Sequence, residues 1–525
     1  EHMLFLGTDK YPKPDDYNSF ITQHGGHYNA YTAFEHTNYF FDIDPSYFKD
    51  ALDRFSQFFI APLFSQEYLE REQNAVNSEY QTYIGNDDVN QMYVMKEIMN
   101  PLHPFSKFNI GSLDTLKNTP DNQLRDDVMA FYQQHYSSNI MSLVLISNDS
   151  LEHLEQQAQD YFSGIVNNDF TIDKITADLF TNTSLPSQIS IKPKKDEHDL
   201  DIYFPAPIMW QHYTSKPYSY LGHMLGHEGK GSLLAWLKEQ GLANGLSSGS
   251  SFRHRDHNLF NISINLTPKG VAQQTAIISK IFQFIALVEQ DGIDKWRFSE
   301  MAQLSQNEFL FQEHSSTLNY ALTLAGDMHY YPVEEVLHAP SVMSKYQPEL
   351  INTALAYLTP DNALVILSSP LATTNKTEKW FNIPYAYTPL EKQVIDTYNI
   401  ARHNSVNSKL ALSIANDFIA SDFSLIENTD HTTTIPCNIY NQANVQGWYQ
   451  QDHKFLQPRA DIFLKFATDI AHTNAYNSAL TQLYVRLAID KLDEETYLAQ
   501  LAGFDYSLYH HPQGFSLKIS GFNDK

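Results

Sequence analysis

The sequence predicts an α+β protein built from repeated homologous α/β units, two in full outline and a third begun. Three observations predict it. The chain has 525 residues, more than one ordinary hydrophobic core accommodates, and length alone suggests about three domains. Helix-spaced and strand-spaced apolar patterns alternate along it. The same order of landmarks also recurs, with Gly241 standing 216 positions after Gly25 and Asn362 standing 223 after Asn139. Two separate landmarks that give nearly one period indicate a duplicated domain.

In order, residues 1–8 read as the end of a helix, and 15–23 as a short helix closed by Gly25-Gly26. Residues 29–32 and 37–43 are β-rich, with Tyr39, Phe41 and Ile43 alternating on one face. Phe48, Leu52, Phe55 and Phe59 give 45–59 helical spacing. A long helix over 66–83 carries Glu72 and Glu79, seven apart and so two turns along one face. Residues 123–136 and 151–162 are predicted helical, with a buried strand over 139–147 between them (Ile140, Met141, Leu143, Val144, Leu145, Ile146). The polar stretch 167–186 reads as a linker, and strands at 189–191 and 200–204 follow.

The order then repeats. A helix over 233–240 stops at Gly241, and Phe260, Ile262, Ile264 and Leu266 alternate with Asn261, Ser263 and Asn265 in a strand. A helix over 271–286 comes next. Leu358-Thr359-Pro360-Asp361-Asn362 leads into a strand over 363–367, as Tyr136-Ser137-Ser138-Asn139 leads into its own. The Ser/Asn/Thr-rich stretch 399–434 reads as a second linker. A third copy starts near Ile435, with a helix over 497–501 ending at Gly503 and a strand through Phe515, Leu517 and Ile519. The expected units are therefore 1–175, 185–398 and 435–525, the last incomplete.

Composition excludes several function classes. With 61 Asp plus Glu against 35 Lys plus Arg, the net charge is −26, which argues against a nucleic-acid partner and against docking on anionic membranes. No run of 18 apolar residues exists, so no transmembrane helix is expected. The single cysteine, Cys437, rules out an intramolecular disulfide and reads as a structural thiol. No phosphate-cradling glycine loop, Ser/His/Asp arrangement or CxxC pair is present. His24 and His27, beside the glycines, read as loop residues near a cleft.

Chemistry concentrates at the first residues. Glu1-His2 are the last two letters of H-x-x-E-H, in which two histidines four apart on a helix reach one metal and the glutamate polarises a bound water. The first histidine would stand three residues before Glu1, ahead of this sequence. A Glu-His pair alone says little, since Glu35-His36 is another. The text that follows says more: Tyr11-Pro12, Tyr17-Asn18-Ser19-Phe20, Gly25-Gly26, Asn29-Ala30-Tyr31-Thr32, Glu35-His36-Thr37-Asn38-Tyr39-Phe40-Phe41, Pro62-Leu63-Phe64 and Ala75-Val76-Asn77-Ser78-Glu79. It continues through His103-Pro104-Phe105-Ser106-Lys107-Phe108, Leu225-Gly226-His227-Glu228-Gly229, His329-Tyr330-Tyr331-Pro332 and Gly521-Phe522-Asn523-Asp524. The series resembles the M16 metallopeptidases, the inverzincins, in their insulin-degrading enzyme and pitrilysin branch, and the resemblance covers essentially the whole chain.

That resemblance implies α/β-roll units of the metallohydrolase type, four in long members, joined as two halves around a chamber. This chain would then be the first half, lacking its first residues, plus a fragment of the second. One Zn2+ per catalytic domain is implied, held by His2, Glu79 and the histidine ahead of Glu1, with Glu1 as general base and Glu72 orienting a ligand or the water. Asn29, Ala30 and Tyr31 match a strand that pairs with an extended substrate. His223, Gly226 and Glu228, with Leu246 and Ser248, match the region that holds a substrate N-terminus, although the family's glycine-rich strand here reads Leu246-Ser247-Ser248-Gly249. The second copy shows no metal motif and reads as a structural or binding duplicate.

The implied activity is hydrolysis of peptides and small proteins in an enclosed chamber. The implied partners are peptide substrates, the C-terminal half of the same protein and a second copy in a homodimer. The implied compartment is the periplasm for a bacterial pitrilysin-like protein and otherwise the cytoplasm. With His2 and Glu79 alone, this chain is expected to bind zinc weakly and to catalyse little. The alternative is a non-catalytic M16 subunit or peptide-binding chamber, and the residue three places before Glu1 discriminates the two.

Overall fold

A computed structural model describes residues 1–313, 315–404, 409–425 and 435–525. The first unit opens on a 3-10 turn, His2–Phe5, held by Leu4 N–H to Glu1 C=O and Leu6 N–H to Met3 C=O bonds. The expected helix end over 1–8 is thus a single tight turn, too short to close α-helical bonds. Next comes α1 (Asp16–Gln23), ended by Gly25 at a φ of +73°, a conformation glycine adopts without steric cost. A Cβ on Gly26 would stand 2.1 Å from the Asp42 carbonyl oxygen, so only glycine lets the chain pass there. The passage starts a hairpin, β1 (His27–Thr32) antiparallel to β2 (Thr37–Asp42), with Asn29 opposite Phe40.

Five helices complete the unit: α2 (Phe48–Ile60), α3 (Gln66–Tyr83), α4 (Asp87–Lys96), α5 (Leu124–His135) and α6 (Leu151–Phe162). Ala51, Phe55 and Phe58 of α2 recur every three or four residues and pack with Met3, Leu4, Tyr17 and Ile21 in a core to which Tyr39 and Phe41 of β2 belong.

The second unit contains β3 (Ser187–Ile191), β4 (Asp199–Ala206), α7 (Pro217–Leu225), α8 (Leu233–Glu239), β5 (Ala243–Arg253) and β6 (Asn258–Leu266). After these come α9 (Pro268–Val271), α10 (Gln274–Asp291), α11 (Lys295–Leu310), α12 (Thr317–Asp327), α13 (Pro348–Leu355), β7 (Leu364–Ser368), β8 (Lys376–Thr377), β9 (Pro384–Pro389) and α14 (Lys392–His403). The strands form one sheet in the order β5-β6-β4-β7-β3-β9-β8. One face packs Ile202, Phe204, Phe260 and Ile262 against Ile281 and Phe282 of α10. The other packs Ile189, Tyr203, Leu259 and Ile366 against Tyr93 and Val94 of α4 in the first unit. Covered on both faces, β7 is buried at every residue.

The repeat is visible here: Gly241, at a φ of +64°, closes α8 as Gly25 closes α1, and β5, β6 and α10 follow as β1, β2 and α2 do. The two units also meet at a histidine cluster. His103, beside α4, touches His257 of the β5–β6 turn edge-on with ring centres 4.7 Å apart, and His254 stacks on His257 at 4.4 Å. Glu35 of the β1–β2 turn lies 3.5 Å from His254 Nδ1.

The third unit has β10 (Cys437–Gln442) paired with β11 (Val445–Tyr449). Then follow β12 (Arg459–Ala467), the 27-residue α15 (Ala475–Leu501), β13 (Asp505–His511) and β14 (Gly514–Phe522), with sheet order β12-β14-β13. The helix expected over 497–501 is only the last turn of α15. Phe463 and Phe466 on β12 and Tyr476, Leu483 and Tyr484 on α15 are exposed.

Three expectations are corrected. Residues 141–147 are not a buried strand: after a 3-10 turn (Ser138–Ile140) they run extended and largely half-buried, because no strand pairs with them among the described residues. The stretch 167–186 is not a loose linker, since Leu179 and Phe180 are buried and Phe180 bridges to Met99. In 399–434, α14 continues to His403 and Leu410 and Ala420 are buried, while 405–408 and 426–434 lie outside the described residues. Among the described residues, no helix is long and apolar enough to cross a membrane.

Candidate metal centre

Two turns of α3 place Glu72 and Glu79 on one face, and the His2–Phe5 turn sets His2 between them. His2 Nδ1 lies 3.1 Å from Glu72 Oε2, and His2 Nε2 lies 3.5 Å from Glu79 Oε1. The carboxylates differ in setting. The Glu72 side chain is 15% exposed and also accepts from Arg71 Nε at 3.1 Å, whereas that of Glu79 is 55% exposed. In the tautomer that carries its proton on Nδ1, His2 donates to Glu72 and turns its Nε2 lone pair toward Glu79. A carboxylate fixing one ring nitrogen while the other turns outward is how a ligand histidine is usually oriented.

The spacing also suits a shared ion. Two tetrahedral ligands with bonds near 2.0–2.1 Å stand about 3.4 Å apart. A nitrogen and a carboxylate oxygen at this separation fit zinc in donor type and in spacing. Among the described residues no group of three or more His, Cys, Asp or Glu is arranged to hold a metal ion, whereas a catalytic zinc takes three protein ligands.

Glu1, adjacent to His2, accepts a hydrogen bond from Thr32 Oγ1, which is also 3.2 Å from Thr37 Oγ1. The candidate base is therefore tied to the end of β1, the strand that carries Asn29, Ala30 and Tyr31. Among the described residues β1 pairs with β2 alone, and its other edge has no strand partner there. Asn29 Oδ1 accepts from the Ala30 N–H at 2.9 Å, and Tyr31 OH lies 3.1 Å from His36 Nε2. Thr32 stood in the sequence only as the end of the strand 29–32, with no contact to Glu1 expected. Its contact with Glu1 spans 31 positions, and no local pattern marks it.

Of the second predicted cluster, the structure brings Gly226 and Ser248 together. Gly226 caps α7, which also carries His223, and a Cβ on Gly226 would stand 3.4 Å from the Ser248 backbone nitrogen. Leu246 differs: the whole residue is only 7% exposed and its side chain belongs to the core. Burial pushes the Glu228 carboxyl above its ordinary range and holds the His223 imidazole below its own.

The sequence reading passed over His227. It is 5% exposed, its Nδ1 accepts from the Gly229 N–H at 3.1 Å, and its Nε2 is buried without a partner. Its ring meets Tyr497 of α15 edge-on at 4.7 Å. Its spacing of four from His223 was the available signal.

Three family descriptions match consecutive stretches of the chain. They are "Insulinase (Peptidase family M16)" over 1–103, "Peptidase M16 inactive domain" over 123–304 and "Middle or third domain of peptidase_M16" over 309–525. The chain is 36% identical over 530 residues to insulin-degrading enzyme from Bos taurus and from Homo sapiens, taking in 100% of this chain and 52% of each relative. The crystal structure of pitrilysin superposes with a TM-score of 0.86 at 29% identity, covering 99% of this chain and 55% of that one. The chain thus spans about half the length of the curated relatives it matches.

Proposed function

Because the chain belongs to the M16 peptidase family, we infer that it carries the catalytic half-site of a zinc-dependent endopeptidase acting on peptides and small proteins. The observation that carries this reading is the clamping of His2 between Glu72 and Glu79. His2 Nε2 and Glu79 would hold the zinc, with a histidine three residues before Glu1 as third ligand. When bound, zinc supplies Lewis-acid polarisation of water and of the scissile carbonyl.

The chain's own residues divide the remaining work. The open edge of β1 takes the substrate as an added strand by main-chain hydrogen bonds, which bind backbone without demanding one sequence. Glu1, at the end of that strand, removes a proton from the attacking water and returns it to the leaving amine as the C–N bond breaks. Glu72 keeps the His2 ring from turning. The α7–β5 corner, with His223, Gly226, Glu228 and Ser248, offers carbonyls and a carboxylate to a peptide ammonium group.

The 525-residue chain by itself holds two ligands, so weak zinc binding and little turnover are its expected properties. The exposed apolar side chains of β12 and α15 suit burial against the C-terminal half of the same protein. Zinc affinity of the chain and of Glu79→Gln, measured by competition with a chromogenic chelator, tests the reading. At least a tenfold loss in the variant is expected, and equal affinities would remove Glu79 from the ligand set.

A further inference from the structure

The end of α3 that carries Glu79 has little of its own to hold it. Of the 18 residues of α3 only Leu69 is buried, and Ser78, Glu79, Gln81, Thr82 and Tyr83 are all exposed. Tyr80 is the exception in this stretch. It is half-buried, and its hydroxyl donates to the carbonyl of Trp380, a residue of the second unit 300 positions on in the chain. The Tyr80 ring meets Phe381 edge-on with centroids 5.2 Å apart and Phe108 at 5.6 Å, and Trp380 stacks flat on Phe108 at 4.1 Å.

Trp380 and Phe381 belong to the turn between β8 and β9, and a buried acid builds that turn. Glu378 is 0% exposed, and its carboxyl oxygens accept from the Trp380 N–H at 2.9 Å and the Phe381 N–H at 2.7 Å. Its own N–H donates to the Ile383 carbonyl at 2.9 Å. A buried carboxyl group is costly unless it is hydrogen-bonded, and here the bonds go to the two residues that seat Tyr80.

Earlier on the same flank of α3 the ties lie within the first unit: Gln73 Nε2 donates to the Leu116 carbonyl, and Asn77 Oδ1 accepts from the Leu113 N–H at 3.2 Å. With 3.6 residues per turn, Gln73, Asn77 and Tyr80 share one flank, and Glu72 and Glu79 share the flank beside it. Holding the first flank sets the rotation of the second. A side-chain tip stands about 5–6 Å from a helix axis, so a rotation of about 20° carries it about 2 Å. That is enough to part Glu79 Oε1 from His2 Nε2, which stand 3.5 Å apart against the roughly 3.4 Å that two ligands of one zinc require. We infer that Tyr80, seated in the Glu378–Phe381 turn, is a positioning residue for Glu79, so that the second unit sets the zinc affinity of the first. The inference rests on Glu79 as a zinc ligand.

A double-mutant cycle on the Zn2+ affinity of the full-length protein, read by chelator competition well below every variant's Tm, tests it. Tyr80→Phe keeps the ring and removes only the bond to Trp380, and should lower affinity about fivefold. In a Glu79→Gln background the same change should have no effect, because Tyr80 acts through Glu79. Glu378→Gln, which turns one acceptor oxygen into a donor facing an N–H, should repeat both results from the second unit. Equal losses in the two backgrounds would make Tyr80 a general support of the fold and overturn the inference. No loss in either would also overturn it, leaving α3 held by Gln73 and Asn77. If Glu79→Gln by itself changes nothing, the ligand assignment fails and the inference falls with it.

Discussion

His2 lies between two carboxylates in different settings, and the difference can be measured. Glu72 is shielded and bonded to Nδ1, so Glu72→Gln should loosen the ring and lower zinc affinity by about 10–100-fold. Chelator competition reads this directly. Glu1 touches Thr32 rather than His2, so in the full-length protein Glu1→Gln should cut peptide turnover by about 10²–10⁴-fold while zinc content stays the same. Undiminished turnover in that variant would exclude Glu1 as the base. These residues were marked in the sequence by the family resemblance, since a Glu-His pair and two glutamates seven apart say little by themselves, and the structure brings His2, Glu72 and Glu79 together. The contacts of Thr32 and His227 were not so marked. One acts through a contact made only by folding, and the other through burial, which a single sequence does not display.

Among the elements, the α1–β1 junction is the least tolerant of change. The Asp42 carbonyl occupies the space a side chain on Gly26 would need, and Ile21 closes a second side at 2.9 Å. Gly26→Ala should therefore displace the hairpin and cost about 1–3 kcal/mol, seen as a lower urea midpoint. If the midpoint did not move, the hairpin would have to be free to shift. Where a helix was read, its amphipathic pattern carried the signal: 66–83 was predicted and α3 is Gln66–Tyr83. The segment 139–147 was misread for the opposite reason. Its residues have the apolar, β-branched character of a strand, but a strand is made by its neighbours, and composition does not report whether a neighbour is there.

For the whole molecule, the coupling between units is sensitive to acid. Burial holds His257 at a pKa of about 3, with the charges of His254 and His103 adding to the effect, and holds His227 at about 4. The ordinary histidine value is 6.5, so below that pH the unfolded chain takes up protons that the folded chain refuses. Stability from these groups is thus complete above pH 6.5 and falls steadily as the pH drops toward 4. Melting temperature should decline by several degrees between pH 7 and pH 5, and His257→Asn should flatten part of that decline. An identical slope in the variant would place the acid sensitivity elsewhere.

The exposed third-unit surface has one more consequence, for the behaviour of the chain as a colloid. Apolar side chains along β12 and α15 make a sticky patch, and the outer edge of β12, unpaired among the described residues, gives it a template for pairing. What keeps two such patches apart in dilute buffer is mutual repulsion between bodies of charge −26. Added salt shortens the reach of that repulsion to about 10 Å at 0.1 M and about 3 Å at 1 M, while the apolar attraction is untouched. Salt should therefore act on this chain as a coagulant.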